Sequence, residues 1–246
     1  ITYAKRIQQA ILPTEQVVKK LFPNSFVLYK PKDIVSGDFY WMEQVGTQNF
    51  VAAVDCTGHG VPGAMLSLIG HLILVDILDH PDQKRPSEVL LNLHSRMVKT
   101  LKQDIAGNDA SDGMDIALCQ IDEAASLVRY SGAHRPLYHI RNGELHEYRG
   151  SRLPIGGNQY KKCNTYTEYE IETKPGDLFF LFSDGFQDQF GGLENEKYGP
   201  LRIQEYLINT THLSMTEYKE GLRNEFLNWK GEKKQMDDIL FIGFKC

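Results

Sequence analysis

The chain has few of the features that would assign it quickly to a class. It has four cysteines in 246 residues, with no C-x-x-C pair among them. In a domain of this size we expect free thiols in a reducing compartment, and neither disulfides nor a cysteine zinc site. No block of basic residues stands out and the net charge is −5. Nucleic acid is therefore not an expected partner, because phosphate binding usually requires a basic face.

Long apolar runs and targeting signals are also lacking. The longest apolar run, Leu66 to Leu78, is interrupted by His71 and Asp76 and is too short to span a bilayer. There is no signal peptide, so we expect a cytoplasmic location. The sequence begins at Ile1. We expect it to be part of a longer protein, whose other regions could carry a membrane tether. A hydrophobic content of 41% predicts one large globular domain.

The N-terminal segment "ITYAKRIQQAIL" has apolar residues at coiled-coil spacing, and Pro13 ends the predicted helix. Two interpretations are open, since fewer than three heptads cannot decide between them. The helix either lies on its own domain or continues a coiled coil from upstream. We predict a linker or regulatory helix over residues 1–23 and the main domain over residues 24–246.

The remaining pattern predicts roughly ten strands, with two pairs of helices in separate blocks. The first pair is predicted over Val61–Asp79 and from Ser87 to about Ile105. A later helix opens with Ser214 and Glu217 as a capping box. Because the elements do not alternate as βαβ units, we predict an α+β fold with mainly antiparallel sheets and helices packed outside them.

A hairpin in the first strand block brings two acids together. A two-residue turn at Gly46-Thr47 would pair Val45 with Gln48. Counting outward in this register places Asp38 opposite Asp55. Two carboxylates that are far apart in sequence are thereby predicted to meet at one edge of the sheet.

Acidic residues also stand at the ends of other predicted strands. The four positions are Asp38, Asp55, Asp184 and the pair Asp237-Asp238. Antiparallel strands place the end of one strand beside the start of its neighbour, so these acids can share an edge. Any single one is explained by ordinary turn chemistry beside glycine. Clustered carboxylates, however, are stabilised by a cation, and oxygen-only clusters suit Mg²⁺ or Mn²⁺. The pattern alone favours a dinuclear metal hydrolase.

Several ordered motifs resemble a known family. They are "IVSGDFYW", "AAVDCTGHGVPGAMLS", "YSGAHRPLY", "LPIGG", "LFFLFSDGFQDQ" and "MDDILFIGF". The set is similar to the PPM metal-dependent protein phosphatases, and most similar to their bacterial SpoIIE/RsbU-type serine phosphatase branch. The resemblance implies an α-β-β-α sandwich and two Mn²⁺ or Mg²⁺ ions. It also implies hydrolysis of phosphoserine or phosphothreonine on proteins by a metal-activated water, without a phosphoenzyme.

The resemblance also implies a ligand set by motif match. Asp38 and Asp55 would hold the metal pair, with Asp55 bridging the two ions. The backbone carbonyl of Cys56 would add one ligand, and Asp184 and Asp237 would complete the set. We choose Asp237 over its neighbour, because the neighbouring position is often Asn in relatives.

Some positions depart from the family pattern. Type 2C relatives carry a histidine two residues after the bridging acid, where this chain has Thr57. His59 could replace it as general acid or merely stabilise the loop. His134 and Arg135 belong to a family loop whose role the sequence does not reveal. Asp115 interrupts an apolar strand and is either close to the site or on the surface.

The resemblance implies a phosphorylated protein as substrate, of the kind represented by anti-sigma-factor antagonists. It also implies an upstream sensor region, a homodimer through the N-terminal helix, and a regulatory role for the helices after Asp55. Two alternatives stay open. One is a catalytically silent signalling module with the same fold, and the other is a phosphatase of small molecules.

Overall fold

Two antiparallel sheets form the centre of the molecule. A computed structural model describes residues 2–79, 85–105, 107, 111–157 and 165–246. The helices of this part are α1 Thr2–Ile11, α2 Glu15–Leu21, α3 Gly60–Leu78, α4 Pro86–Thr100, α5 Gly185–Asp188, α6 Gly199–Asn209 and α7 Met215–Lys230. The strands are β1 Ser25–Lys30, β2 Asp38–Val45, β3 Gln48–Cys56, β4 Gly113–Asp122, β5 Leu127–Ala133, β6 Leu137–Arg141, β7 Glu144–Tyr148, β8 Ile155–Gly156, β9 Glu168–Glu172, β10 Leu178–Phe182, β11 Phe190–Gly191, β12 Glu196–Lys197 and β13 Ile239–Lys245.

The first sheet has the order β2-β3-β4-β5-β9, with β8 paired to β4, and the second has the order β1-β13-β10-β6-β7. Alternate residues of each strand face opposite layers. On β10, Phe179 and Leu181 enter the core between the sheets, whereas Phe180 and Phe182 pack toward α6 and α7. The outer face of the first sheet packs against α3 and α4. The predicted α+β class and the α-β-β-α sandwich are both confirmed.

The predicted β2–β3 hairpin forms in the predicted register. Val45 pairs with Gln48 across the turn, and Asp38 pairs with Asp55 at the other end of the ladder. Gly46 adopts a φ of +61°, which suits this tight turn. The register that brings the two acids together is therefore fixed by a local turn.

Helix α4 ends at Thr100, earlier than the predicted end near Ile105. Lys102 adopts a left-handed φ of +54°. Its N–H donates to the Lys99 carbonyl, and the Gln103 N–H donates to the Val98 carbonyl. This is a Schellman ending, which glycine usually provides. With lysine at that position, the sequence gives no signal that the helix ends there.

The N-terminal helix α1 lies on its own domain. The Gln8 side chain donates to the Ser36 carbonyl at 2.6 Å and to the Ser67 hydroxyl on α3 at 3.0 Å. Tyr3 and Ile7 are exposed on the same helix. An upstream coiled coil and a homodimer through this helix stay predictions, as does the domain boundary after residue 23.

Helix α3 meets the length and composition of a membrane-crossing helix. This differs from the expectation drawn from the shorter run, because the helix extends that run to 19 residues. This length and composition are weak support for a membrane span, since the core helices of globular proteins share them. Leu74 and Ile77 of α3 are fully buried against the first sheet and α4.

The thiols of Cys56, Cys119 and Cys246 are free, as expected. Cys163 lies outside the described residues.

Candidate metal centre

Acidic side chains from both sheets meet at one end of the sandwich. Asp38 is the first residue of β2, and Asp55 is the last but one of β3. Asp184 lies two residues after β10 at the start of α5, and Asp237 lies just before β13. Burial raises the pKa of Asp55 most, and the charges of Asp184 and Asp237 raise it further, so acids at the end of the second sheet act on the first. The structure thus brings together the four acids that the sequence singled out.

Two glycines allow this close approach of backbone segments. A Cβ on Gly185 would overlap the carbonyl oxygen of Asp238, so the start of α5 could not lie as close to the segment before β13 with any other residue. A Cβ on Gly37 would overlap the Gly58 carbonyl oxygen and lie 3.1 Å from the Cys56 carbonyl oxygen. The absence of side chains here lets the loops after β3 and β10 close around the acids.

Asp38 is buried, with 3% of its surface exposed. Its Oδ2 atom is buried and accepts no hydrogen bond. Burial and the facing Asp55 carboxylate raise the pKa of Asp38 well above its ordinary value, against an opposing hydrogen bond from Ser183. A buried carboxylate oxygen without a partner, opposite a second acid, fits a cation ligand.

The pKa of Asp55 is also raised. Burial, followed by the charge of Asp184, raises the pKa of Asp55 to about 8, although Arg135 acts in the opposite direction. An uncompensated negative charge on this acid is therefore costly, and a nearby cation would offset that cost.

The two neighbouring acids before β13 have different surroundings. The Asp238 carboxylate accepts the Lys32 amide at 2.7 Å and the Gly37 amide at 2.8 Å. It therefore ties the loop before β2 to the start of β13. Asp237 is half-buried, and its pKa is raised by burial and by the charge of Asp184. This arrangement supports Asp237 as the ligand and gives Asp238 a structural role.

An arginine that the sequence did not assign enters the same cluster. The Arg135 Nη2 atom lies 2.8 Å from Asp184, 2.9 Å from Asp115 and 3.6 Å from Asp55. Its side chain is only 12% exposed. Burial would lower the pKa of Arg135, but the three carboxylates outweigh burial and raise it. Asp115, the acid that interrupts β4, therefore belongs to the centre.

Cys56 can contribute its backbone carbonyl but not its thiol. Burial and the nearby Asp55 charge raise the pKa of the thiol well above its ordinary value. Among the described residues, no three histidine, cysteine or acidic side chains already converge tightly enough to enclose a metal ion. The oxygen-only donor set fits Mg²⁺ or Mn²⁺, and Arg135 stands between two of the donors.

The two departures from the family pattern have clear positions. The Thr57 hydroxyl donates to the Gly113 carbonyl at 3.1 Å, which ties the loop after β3 to β4. His59 lies further along this loop, half-exposed, with its Nδ1 atom 2.7 Å from Asp33. The contact holds the His59 ring against Asp33. A role for His59 as general acid stays a prediction.

This sandwich, with acids from both sheets at one end, defines the PP2C or PPM class of protein phosphatase domains. The fold is similar to that of the SiaA-PP2C domain of Pseudomonas aeruginosa, with a TM-score of 0.89 and 30% identity over 100% of this chain and 95% of that one. The PP2C phosphatase domain of SpoIIE from Bacillus subtilis has a TM-score of 0.70 and 18% identity, covering 90% of this chain and 61% of that one.

The chain belongs to the SpoIIE family. The family model described as Stage II sporulation protein E matches residues 46–246. The RsbU and RsbW domains of Rv1364c from Mycobacterium tuberculosis share the fold, with a TM-score of 0.69 and 14% identity over 91% of this chain and 60% of that one. No curated protein sequence matches the chain. The resemblance seen in the sequence is confirmed, and the chain is a serine/threonine phosphatase domain of the PPM type.

Proposed function

We propose that the acidic end of the sandwich holds two Mn²⁺ or Mg²⁺ ions and hydrolyses phosphoserine or phosphothreonine on a bacterial signalling protein. Asp38, Asp55, Asp184, Asp237 and the Cys56 carbonyl would be the ligands, with Asp55 between the two ions. The observation that carries this proposal is the buried Asp38 Oδ2 atom without a hydrogen-bond partner, opposite Asp55.

Divalent ions in such a centre supply an activated water near neutral pH and neutralise charge on the phosphoryl group. The protein's own contribution is to hold the ligands from two sheets at fixed positions. The Cys56 thiol beside the acids is not a ready nucleophile, because burial raises its pKa well above its ordinary value. This supports direct attack by water.

The proposed substrate is a phosphorylated regulatory protein, such as an anti-sigma-factor antagonist. The solved relatives with this fold include a domain described as RsbU and a protein of the bacterial stressosome. We place the reaction in the cytoplasm, which the free Cys56 and Cys119 thiols support.

Hydrolysis of para-nitrophenyl phosphate with added Mn²⁺ tests the proposal. We expect Asp184→Asn to lower kcat by about 100-fold or more, because it removes a metal ligand. Asp188→Asn is the matched control. Asp188 is four residues away on the same short helix and only pairs with Lys197 at the surface, so its activity should stay near wild type.

A phosphoserine peptide in the same assay separates the alternatives. Turnover of the peptide supports a protein phosphatase, whereas turnover of the nitrophenyl ester alone supports a phosphatase of small molecules. If the wild-type chain binds Mn²⁺ in a calorimetric titration and hydrolyses neither substrate, a silent signalling module is the better description.

A further inference from the structure

The Arg135 side chain places a buried positive charge within this acidic cluster. It forms ion pairs with Asp55, Asp115 and Asp184, which come from β3, β4 and the end of β10. Two of these acids are proposed metal ligands and the third is not. Arg135 thus occupies part of the space between ligands that a divalent cation would need.

The loop between β5 and β6 places the arginine there. His134 has a left-handed φ of +59°, which is unusual for a residue other than glycine. Its amide donates to the Ser151 carbonyl at 2.8 Å, and its Nδ1 atom lies 2.9 Å from Asp115. The carbonyl oxygen of Arg135 accepts a hydrogen bond from the Tyr130 hydroxyl. The backbone around Arg135 is therefore held from several sides.

Asp115 anchors the same loop through two side chains. One of its oxygens contacts His134 and the other contacts the Arg135 Nη2 atom, both at 2.9 Å. If the guanidinium leaves Asp55 and Asp184, Asp115 can still retain it. The same Nη2 atom thus contacts two proposed metal ligands and one acid that is not a proposed ligand.

We propose that Arg135 is an internal counter-ion, which a divalent metal must displace from Asp55 and Asp184 while Asp115 retains it. This proposal rests on the proposed function, because it needs metal binding at these acids. Arg135 then sets the metal affinity of the centre as a positioning residue, and the metal-free site is kept intact by an ion pair with its own chain.

Calorimetric titration of the EDTA-stripped chain with Mn²⁺ tests this proposal directly. We expect Arg135→Gln to tighten the Mn²⁺ Kd by roughly tenfold, since a buried competing charge is removed. Arg129→Gln is the matched control, because it removes the same charge from β5 where the arginine pairs with Glu170 away from these acids. The control should bind Mn²⁺ as the wild type does.

Replacing Asp115, the acid that retains Arg135, gives a second test in which the expected change in Mn²⁺ affinity has the opposite direction. Asp115→Asn leaves Arg135 with only the two ligand acids, so we expect weaker Mn²⁺ binding. In the Arg135→Gln background the same Asp115→Asn change should have much less effect. An equal loss in both backgrounds would show a simple effect of lost negative charge and would refute the anchoring role.

The outcomes separate this proposal from the proposed function. If the wild type binds Mn²⁺ and Arg135→Gln binds it no more tightly, the counter-ion role is wrong while metal binding stands. If neither chain binds Mn²⁺, both proposals fall. Arg135→Lys keeps a positive charge but lacks the planar guanidinium with its several N–H donors. It provides a second variant in case the glutamine variant folds poorly. Its Kd should lie between the other two.

Discussion

Removing one acid from the centre should stabilise the protein when metal is absent. Asp55 has a pKa of about 8 in the folded chain against an ordinary value of 3.8. Because the folded pKa is the higher one, folding favours the protonated acid. This contribution to stability is complete below about pH 4 and is lost as the pH rises through about 8. Asp55→Asn removes the titrating acid, so the variant does not lose this stability as the pH rises.

The size of the effect follows from the two pKa values. At pH 8 the shift alone corresponds to about 5 kcal/mol of lost stability in the wild type. The Asp55 side chain is 21% exposed. Solvent screening and the lost contact with Arg135 therefore reduce the expected gain to roughly 2–3 kcal/mol. For a domain of this length that gain raises Tm by about 4–12 °C.

Thermal unfolding in EDTA between pH 5 and pH 8 measures this gain. We expect Asp55→Asn to melt above the wild type at pH 8, with the difference shrinking as the pH falls toward 4. With Mn²⁺ in excess the order should reverse, because only the wild type gains binding energy. The exposed Asp104→Asn variant is the control and should follow the wild type. An equal Tm at pH 8, or a gain that does not depend on pH, would refute the reasoning.

Three further results are expected. The wild-type Kd for Mn²⁺ should tighten between pH 6 and pH 8, since Asp55 must lose its proton to bind; calorimetry at three pH values that gave one constant Kd would contradict this. Asp238→Ala should cost about 2–4 kcal/mol in urea unfolding, because the Lys32 and Gly37 amides lose their acceptor, and Mn²⁺ should not restore this loss. Gly185→Ala should lower both Tm and phosphatase activity, because the added methyl overlaps the Asp238 carbonyl. A variant with wild-type values would show that α5 can move away from the segment before β13 without loss.

The part of the centre on the β2–β3 hairpin could be predicted from sequence, because local rules determine it. A two-residue turn fixes the pairing of Val45 with Gln48, and a strand period of two then fixes every later pair. The meeting of Asp38 with Asp55 therefore needs no knowledge of the rest of the fold. The broader α+β class also follows from the order of the elements.

Arg135 could not be predicted in the same way. Its place depends on the left-handed backbone of His134, for which the sequence offers no glycine. It also depends on the register that sets Ala133 of β5 beside Ile116 of β4, next to Asp115. The family motif marked the loop without giving it a role, and Asp115 stood out as a charged residue within an apolar strand. That signal identified an unusual position but not its partner.

The centre is built where the fold can best tolerate like charges. Asp55 belongs to β3, whose other residues are all buried, and Asp38 pairs with it from the start of β2, so packing of the sheet fixes their positions. Asp184 is brought near them from the second sheet, through the tight contact of Gly185 with Asp238 just before β13. Packing between the sheets thus holds the acids together against their repulsion. A cation, whether Arg135 or a divalent metal, then lowers the electrostatic cost of a site that the core has already assembled.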